Sequence, residues 1–368
     1  MTSKERVMAA LDFQQPDRIP KFDSFWSEFR VKCIEELGLS KDVDLADYFH
    51  IDIAIAVADE TPFPTKREVI SDDEHSRVER DSWGRVIRTV RGGYFYEELD
   101  VSVKSRKHLD SAVFDSPYLD SRYEGFVRTV NALREKRCVF CKTGGPYIRT
   151  SFLRGKAAFL MDIAGDPEFA RAMADKVADH IIQIGKESLR RGSLYDTGLW
   201  IYDDMAYNRG TMMSPASFER VFLPAYKRMV KAFKDVGAAK VILHSDGNIA
   251  PVLDMLIEAG IDGINPVEPR AGLHIPTLKE KYGTKLALIG GMCNSRVLPS
   301  GTKAEVESQA MEIIEAGGDG GVIIGAHSIG PDIPVRNYVF YHEMVMRGGK
   351  GMRDMGKREE GQGKGAEI

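Results

Sequence analysis

The stretch VILHSDGNIAP, residues 241–251, runs through three apolar residues to His244, Ser245, Asp246 and Gly247, and then resumes with a helical period. An apolar run without alternation suits a strand buried on both faces. The polar end and the change of period mark one strand-to-helix unit. The same unit recurs on both sides of it. RCVFCKTGGP (137–146) precedes a long helical pattern opened by Asp166-Pro167. LWIYDDM (199–205) precedes a helix with Ser214 as its cap and Pro215 at its first position. DGINPVEP (262–269), KLALIGGMC (285–293) and GGVIIGAHS (320–328) each lead into a further helical pattern. Repeated units of this kind build a parallel sheet. No G-x-G-x-x-G follows any of these strands, and their number favours a (β/α)₈ TIM-type barrel over a doubly wound sheet.

Residues 61–100 differ in texture. Val, Ile, Thr, Tyr and Phe alternate with polar residues around Trp83-Gly84 and Gly92-Gly93, which reads as a small antiparallel β insertion near the N-terminus. The expected organisation is a barrel domain over residues 1–347 carrying this insertion. A glycine-rich, charged tail over 348–368 is expected to be disordered.

With 368 residues, 43% of them hydrophobic, the chain can bury the core of one large domain. A net charge of -4 gives no electrostatic reason to bind nucleic acid or an anionic membrane. No apolar run approaches the roughly 18 residues of a membrane span. The first residues carry charges within a helical pattern and lack a signal-peptide core. A cytoplasmic protein is expected, and homo-oligomer formation is left open. Cys138 and Cys141 make a C-x-x-C within a strand, where residues three apart face opposite ways, so two buried structural thiols are expected.

Active sites of such barrels lie at the C-terminal ends of the strands. Here those ends read Asp59 and Glu60; Gly144-Gly145; Tyr202, Asp203 and Asp204; His244 and Asp246; Glu268; Cys293; and His327. Four successive strands thus end in candidate metal ligands. His244 and Asp246, two apart, point to the same side and can grip one ion together. Glu268 and His327 come from later strands of the same rim. A nitrogen- and oxygen-rich set of this kind suits zinc with a position free for substrate. Cys293 is the rival ligand.

The stretches LWIYDDM, SPASFERVFLPAYKRMV, HSDGN, LIEAGIDGINPVEP, LKEKYG, LALIGG and GAHSIGPDIPVRN, with TSKERVMAALDFQQPDRIP at the N-terminus, resemble the uroporphyrinogen decarboxylase superfamily. The resemblance covers most of the chain and implies a TIM-type barrel. The decarboxylases themselves carry an R-Q-A-G-R segment soon after the first helix to bind a polycarboxylate. Here that place reads PKFDSFWSEFR, aromatic and acidic. The other branch holds corrinoid-dependent methyltransferases, whose better-known members bind zinc through H-x-C and a later cysteine. His244 matches the first ligand, Asp246 stands at the first cysteine and His327 at the second. Cobalamin-independent methionine synthases add a glutamate at a spacing like that of Asp246 to Glu268. The resemblance therefore implies the ligand set His244, Asp246, Glu268 and His327.

Carboxylate and imidazole donors suit an oxygen ligand, whereas two thiolates would suit a thiol acceptor. The expected function is methyl transfer from a small methoxylated, aromatic substrate to the cob(I)alamin of a separate corrinoid protein. The cobalt-ligating D-x-H-x-x-G is absent, since Asp73-Glu74-His75 is followed by Ser-Arg-Val. The alternatives are methyl transfer from methylcobalamin to a thiol, decarboxylation, and a non-catalytic corrinoid- or tetrapyrrole-binding role. Asp203 and Asp204 are expected to orient substrate or donate a proton. Phe22, Trp26, Tyr147 and Tyr202 are expected to line the substrate pocket, and the acidic groups of KFDSFWSEF to disfavour carboxylates.

Overall fold

The computed structural model describes residues 1–93 and 95–362. Eight parallel strands form one sheet that curls into a nearly closed barrel. In chain order these first to eighth barrel strands are Lys21–Phe25, Ile53–Val57, Cys138–Gly144, Gly198–Tyr202, Lys240–His244, Gly263–Val267, Ala287–Gly291 and Val322–Ile329. Pairing runs from the second through to the eighth in sequence order, and the eighth then pairs with the first. Helices follow the strands as the pattern predicts, including Pro167–Gly192, which begins at an Asp166 cap that accepts the Phe169 N–H at 3.2 Å. The last helix is Val335–Gln362, so it takes in the start of the expected tail, and residues 363–368 lie outside the described residues.

The insertion is a four-stranded antiparallel meander: Glu68–Asp72, Ser76–Arg80, Val86–Val90 and Tyr96–Asp100. It is seated on the helix Pro146–Arg154 through Trp83, whose ring lies edge-on to Phe152 at 5.3 Å.

Alternate residues of the barrel strands fill the interior: Phe22, Ile53, Cys138, Phe140, Trp200, Ile242, Ala287, Ile289 and Ile323. Val7, Ala10 and Leu11 of the N-terminal helix Ser3–Leu11 pack on the same cluster. Cys138 belongs to this interior and Cys141 to the outer layer between sheet and helices, so the two free thiols face opposite ways as their spacing requires. Among the described residues no helix is long and apolar enough to cross a membrane.

The seam between first and second strands is closed at its base by Asp52. Its N–H donates to the Lys21 carbonyl at 2.9 Å, and its carboxylate accepts the Lys21 N–H at 2.9 Å. The same carboxylate accepts from Arg6 at 2.8 Å, from both Arg18 nitrogens at 2.8 and 3.0 Å, and from Ser3 Oγ at 3.0 Å. Asp52 is fully buried, so truncating it would leave Arg18 without its carboxylate partner and Arg6 with Asp17 alone in a largely closed site. We expect Asp52→Ala to lower the unfolding free energy by about 3–5 kcal/mol in urea denaturation. Asp72→Ala, which breaks only exposed pairs, should stay within about 0.5 kcal/mol of the parent.

Candidate metal centre

His244 is the last residue of the fifth strand and is almost wholly buried. Its Nδ1 lies 2.7 Å from Asn265 Oδ1, on the sixth strand. The Asn265 amide nitrogen donates to the Ile289 carbonyl at 3.3 Å, which leaves Oδ1 as the acceptor. The His244 proton therefore sits on Nδ1, and Nε2 keeps a free lone pair. The Tyr202 ring stacks on the imidazole at 4.0 Å and 15°. Burial, helped by nearby His327, pushes the His244 pKa down to about 3, so the ring is neutral.

Asp246 follows two residues on. Its Oδ1 stands 3.7 Å from His244 Nε2 and 3.3 Å from His327 Nε2. Two ligands held about 2.0–2.1 Å from one ion in a tetrahedron lie roughly 3.3 Å apart. His327 comes from the eighth strand at a point where the register with the first strand shifts. It has a φ of +64°, a left-handed conformation unusual outside glycine, and such strain tends to gather at functional sites. The three ligand atoms lie within 4.8 Å of one another.

These residues fit a metal ion. Asp246 Oδ1 is shielded from water and has no hydrogen-bond donor, although half of the side chain is exposed. Burial and the neighbouring Asp204 raise the Asp246 pKa to about 6. Burial likewise lowers that of His327. A shielded carboxylate oxygen between two uncharged imidazoles lacks a positive partner, which a divalent cation would provide. His244, Asp246 and His327 thus form a group able to hold a metal ion.

The other expected site residues are placed differently. Glu268 is beside this group rather than in it, with one oxygen accepting the Gly247 N–H at 2.6 Å. Cys293 is turned away toward Ser295, its Sγ 3.5 Å from that hydroxyl, and stands outside the cluster. Asp204 is at the rim, 3.8 Å from His244 Nε2 and accepting the Asp246 N–H at 3.2 Å. Asp203 is fully buried and points into the fold, accepting from Tyr147 N at 3.0 Å, Ile148 N at 2.6 Å and Tyr226 Oη at 2.6 Å. It holds the start of the helix Pro146–Arg154, because an ionisable group buried this deeply needs those donors.

Tyr147 packs on Phe159 and Phe222 within the helical layer. Phe22 faces down the barrel and meets Trp200 edge-on at 5.0 Å. Both belong to the core, since an apolar ring next to other apolar rings gains more from burial than from a half-polar rim. Trp26 is half-exposed and donates Nε1 to Ser328 Oγ at 2.5 Å, beside the end of the eighth strand. Asn265 was missed by sequence reasoning; its signal was one amide inside an otherwise apolar strand. An open pocket of about 600 Å³ adjoins the cluster, bounded by Tyr207, Arg209, Asp246 and Glu268.

The family model for uroporphyrinogen decarboxylase (URO-D) matches residues 92–347. The chain belongs to this family. Among solved structures it is similar to a methyltransferase from Methanosarcina mazei, at 17% identity and a TM-score of 0.69, covering 96% of this chain and 99% of that one. That likeness concerns the fold. A B12-independent methionine synthase from Shewanella sp. W3-18-1 aligns at 13% identity over 93% of this chain and 96% of that one, with a TM-score of only 0.43. No curated protein matches the sequence.

We expect His244→Ala and His327→Ala each to abolish stoichiometric zinc binding in dialysed protein, measured by atomic emission. Asn265→Ala, which frees the His244 ring, should weaken binding about 10–100-fold. Cys293→Ser should leave the zinc content unchanged; loss of zinc in that variant would replace the assigned ligand group.

Proposed function

We propose that the protein is the zinc-dependent methyltransferase component of an O-demethylase, moving a methyl group from a methoxylated aromatic substrate to the cob(I)alamin of a separate corrinoid protein. The observation that carries this reading is the His244, Asp246 and His327 cluster, with its orphaned Asp246 oxygen and no thiolate among its donors. Nitrogen and carboxylate donors favour an oxygen ligand over a thiol acceptor. Membership of the URO-D family agrees with the barrel, and the segment PKFDSFWSEFR has a single arginine, Arg30, which donates to the Lys41 and Val43 carbonyls rather than standing ready for a polycarboxylate.

Zinc, when held by these three residues, supplies a Lewis acid that draws charge from the ether oxygen and eases departure of the phenolate. The protein's own groups set the geometry. Asn265 keeps the His244 lone pair aimed outward. Tyr202, stacked on His244, holds that ring in place, and the half-exposed Trp26 offers an apolar wall near His327. Asp204 stands at the solvent side of the cluster, where it orients the substrate. In such a transfer the C–O bonding pair would stay on the phenolate oxygen, and the partner's cob(I)alamin would supply the electron pair for the new bond to the methyl carbon.

The test combines zinc-loaded protein, chemically reduced cobalamin and a panel of methoxyarenes, read by the absorbance of methylcobalamin and by release of the phenol. Methyl transfer is expected, faster with a cognate corrinoid protein, because positioning of the cobalt is then supplied by binding. His327→Ala should reduce it at least about 100-fold, the loss of several kcal/mol of charge stabilisation. Coproporphyrinogen formation from uroporphyrinogen without any methyl transfer would overturn the proposal.

A further inference from the structure

Beyond Tyr202 from the metal cluster, one strand over, stands a lysine that has no salt-bridge partner among the described residues. Lys142 is the fifth residue of the third strand, two beyond Phe140 and four beyond Cys138, which both fill the barrel interior. The alternation of a strand turns Lys142 inward too, one layer nearer the mouth. It is half-buried, yet among the described residues its side chain makes no hydrogen bond or ion pair. Its ammonium lies 3.9 Å from the centre of the Tyr202 ring. His244 stacks on that ring at 4.0 Å, so ammonium and imidazole must occupy opposite faces of it. Tyr202 thus separates the lysine from the metal cluster.

The surroundings favour an anion. The carboxylate of Glu60 is already committed to Arg149 and to the Gly144 N–H at 2.5 Å. Arg149 lies over Gly144, two residues along the same strand, in the space an inward Cβ would take. Its Nε is buried and has no acceptor. Glu60 and Asp204 both act on the lysine through space, but neither pairs with it, and Arg149 Nε keeps an unused donor. Desolvation of the lysine, assisted by Arg149, lowers its pKa against the opposing pull of Glu60 and Asp204. Beside it, Val57 is the register partner of Lys142 on the second strand and is 52% exposed, an apolar ledge at an inward position. Of the acidic residues expected to repel carboxylates, Asp23 is buried and turned elsewhere, accepting from Ala326 N at 2.6 Å and Tyr338 Oη at 2.9 Å.

We infer that Lys142, with Arg149 beside it, receives a carboxylate on the substrate, so that the preferred substrate is a methoxyarene carrying an acid group remote from its ether oxygen. This rests on the proposed methyl-transfer reading and adds the substrate class. The ring would rest on Val57 and pass the edge of Tyr202, its carboxylate on the ammonium and its ether oxygen toward His244, Asp246 and His327. A charge-assisted hydrogen bond in a part-dry site separates an acid from its neutral amide by about tenfold or more.

The test is calorimetric binding of 4-methoxybenzoate and of its uncharged counterpart 4-methoxybenzamide, to protein with and without zinc. The wild type should bind the benzoate at least about tenfold more tightly, with or without zinc. Lys142→Met should erase that preference and leave the benzamide unaffected, while Lys142→Arg should retain it. Equal binding of the two compounds, no binding of the benzoate, or a preference unchanged in Lys142→Met would overturn the inference. So would a preference that needs zinc and ignores Lys142, because the ion would then hold the carboxylate. The two readings fail separately. Lys142-dependent binding without methyl transfer to cob(I)alamin would sink the methyltransferase and keep the anion corner. Methyl transfer from both compounds at equal kcat/KM would do the reverse.

Discussion

In a parallel barrel the residues that fill the interior and those that crown it come from the same alternate positions of each strand. Ile242 lies in the packed interior and His244 two residues later reaches the mouth. Phe140 is followed in the same way by Lys142, and Trp200 by Tyr202. The apolar layer cannot shift by one residue without turning every polar crown residue into the helical layer. Core packing therefore fixes where the chemistry stands. Asp52, tying the first and second strands at their base through Lys21, holds the seam on which this arrangement closes.

Above that layer, charge decides the contents of the mouth. On one side are neutral imidazoles and a shielded carboxylate oxygen without a donor. On the other are a lysine without a counter-ion and an arginine with an unused nitrogen. Each side is incomplete alone, one lacking a cation and the other an anion, and unpaired buried groups are costly. A metal ion on the first side and an acidic substrate on the second would complete both, with Tyr202 between them as a shared wall.

Much of this was legible in the sequence. Apolar runs followed by a helical period marked six of the barrel strands, the apolar run DIAIAVADE (52–60) ahead of the insertion marked the second, and alternation with paired glycines marked the meander. The first strand, KFDSF, was not recognised because it carries Lys21 and Asp23. Both are buried: the lysine bonds Tyr338 Oη at 2.9 Å, and the aspartate accepts from the same hydroxyl, so the polarity is satisfied inside rather than in water. At the rim, His244 and Asp246 do come to one side, but Asp246 lies past the strand end, so the loop and not the alternation brings it there. Which way a residue beyond a strand end turns is not set by alternation. Asp203 and Asp204 are neighbours, and only the fold sends one to a helix start and the other to the mouth. Asn265 and Lys142 each look like one polar residue within an apolar run, and their roles depend on the neighbouring strands.

The central claim is that this barrel mouth binds a metal ion through nitrogen and oxygen alone. X-ray absorption spectroscopy at the zinc edge of the loaded, full-length protein tests it most directly. The account predicts a shell of nitrogen and oxygen scatterers at about 2.0–2.2 Å with the outer-shell pattern of two imidazoles. A sulfur scatterer near 2.3 Å would bring Cys293 into the site and contradict it.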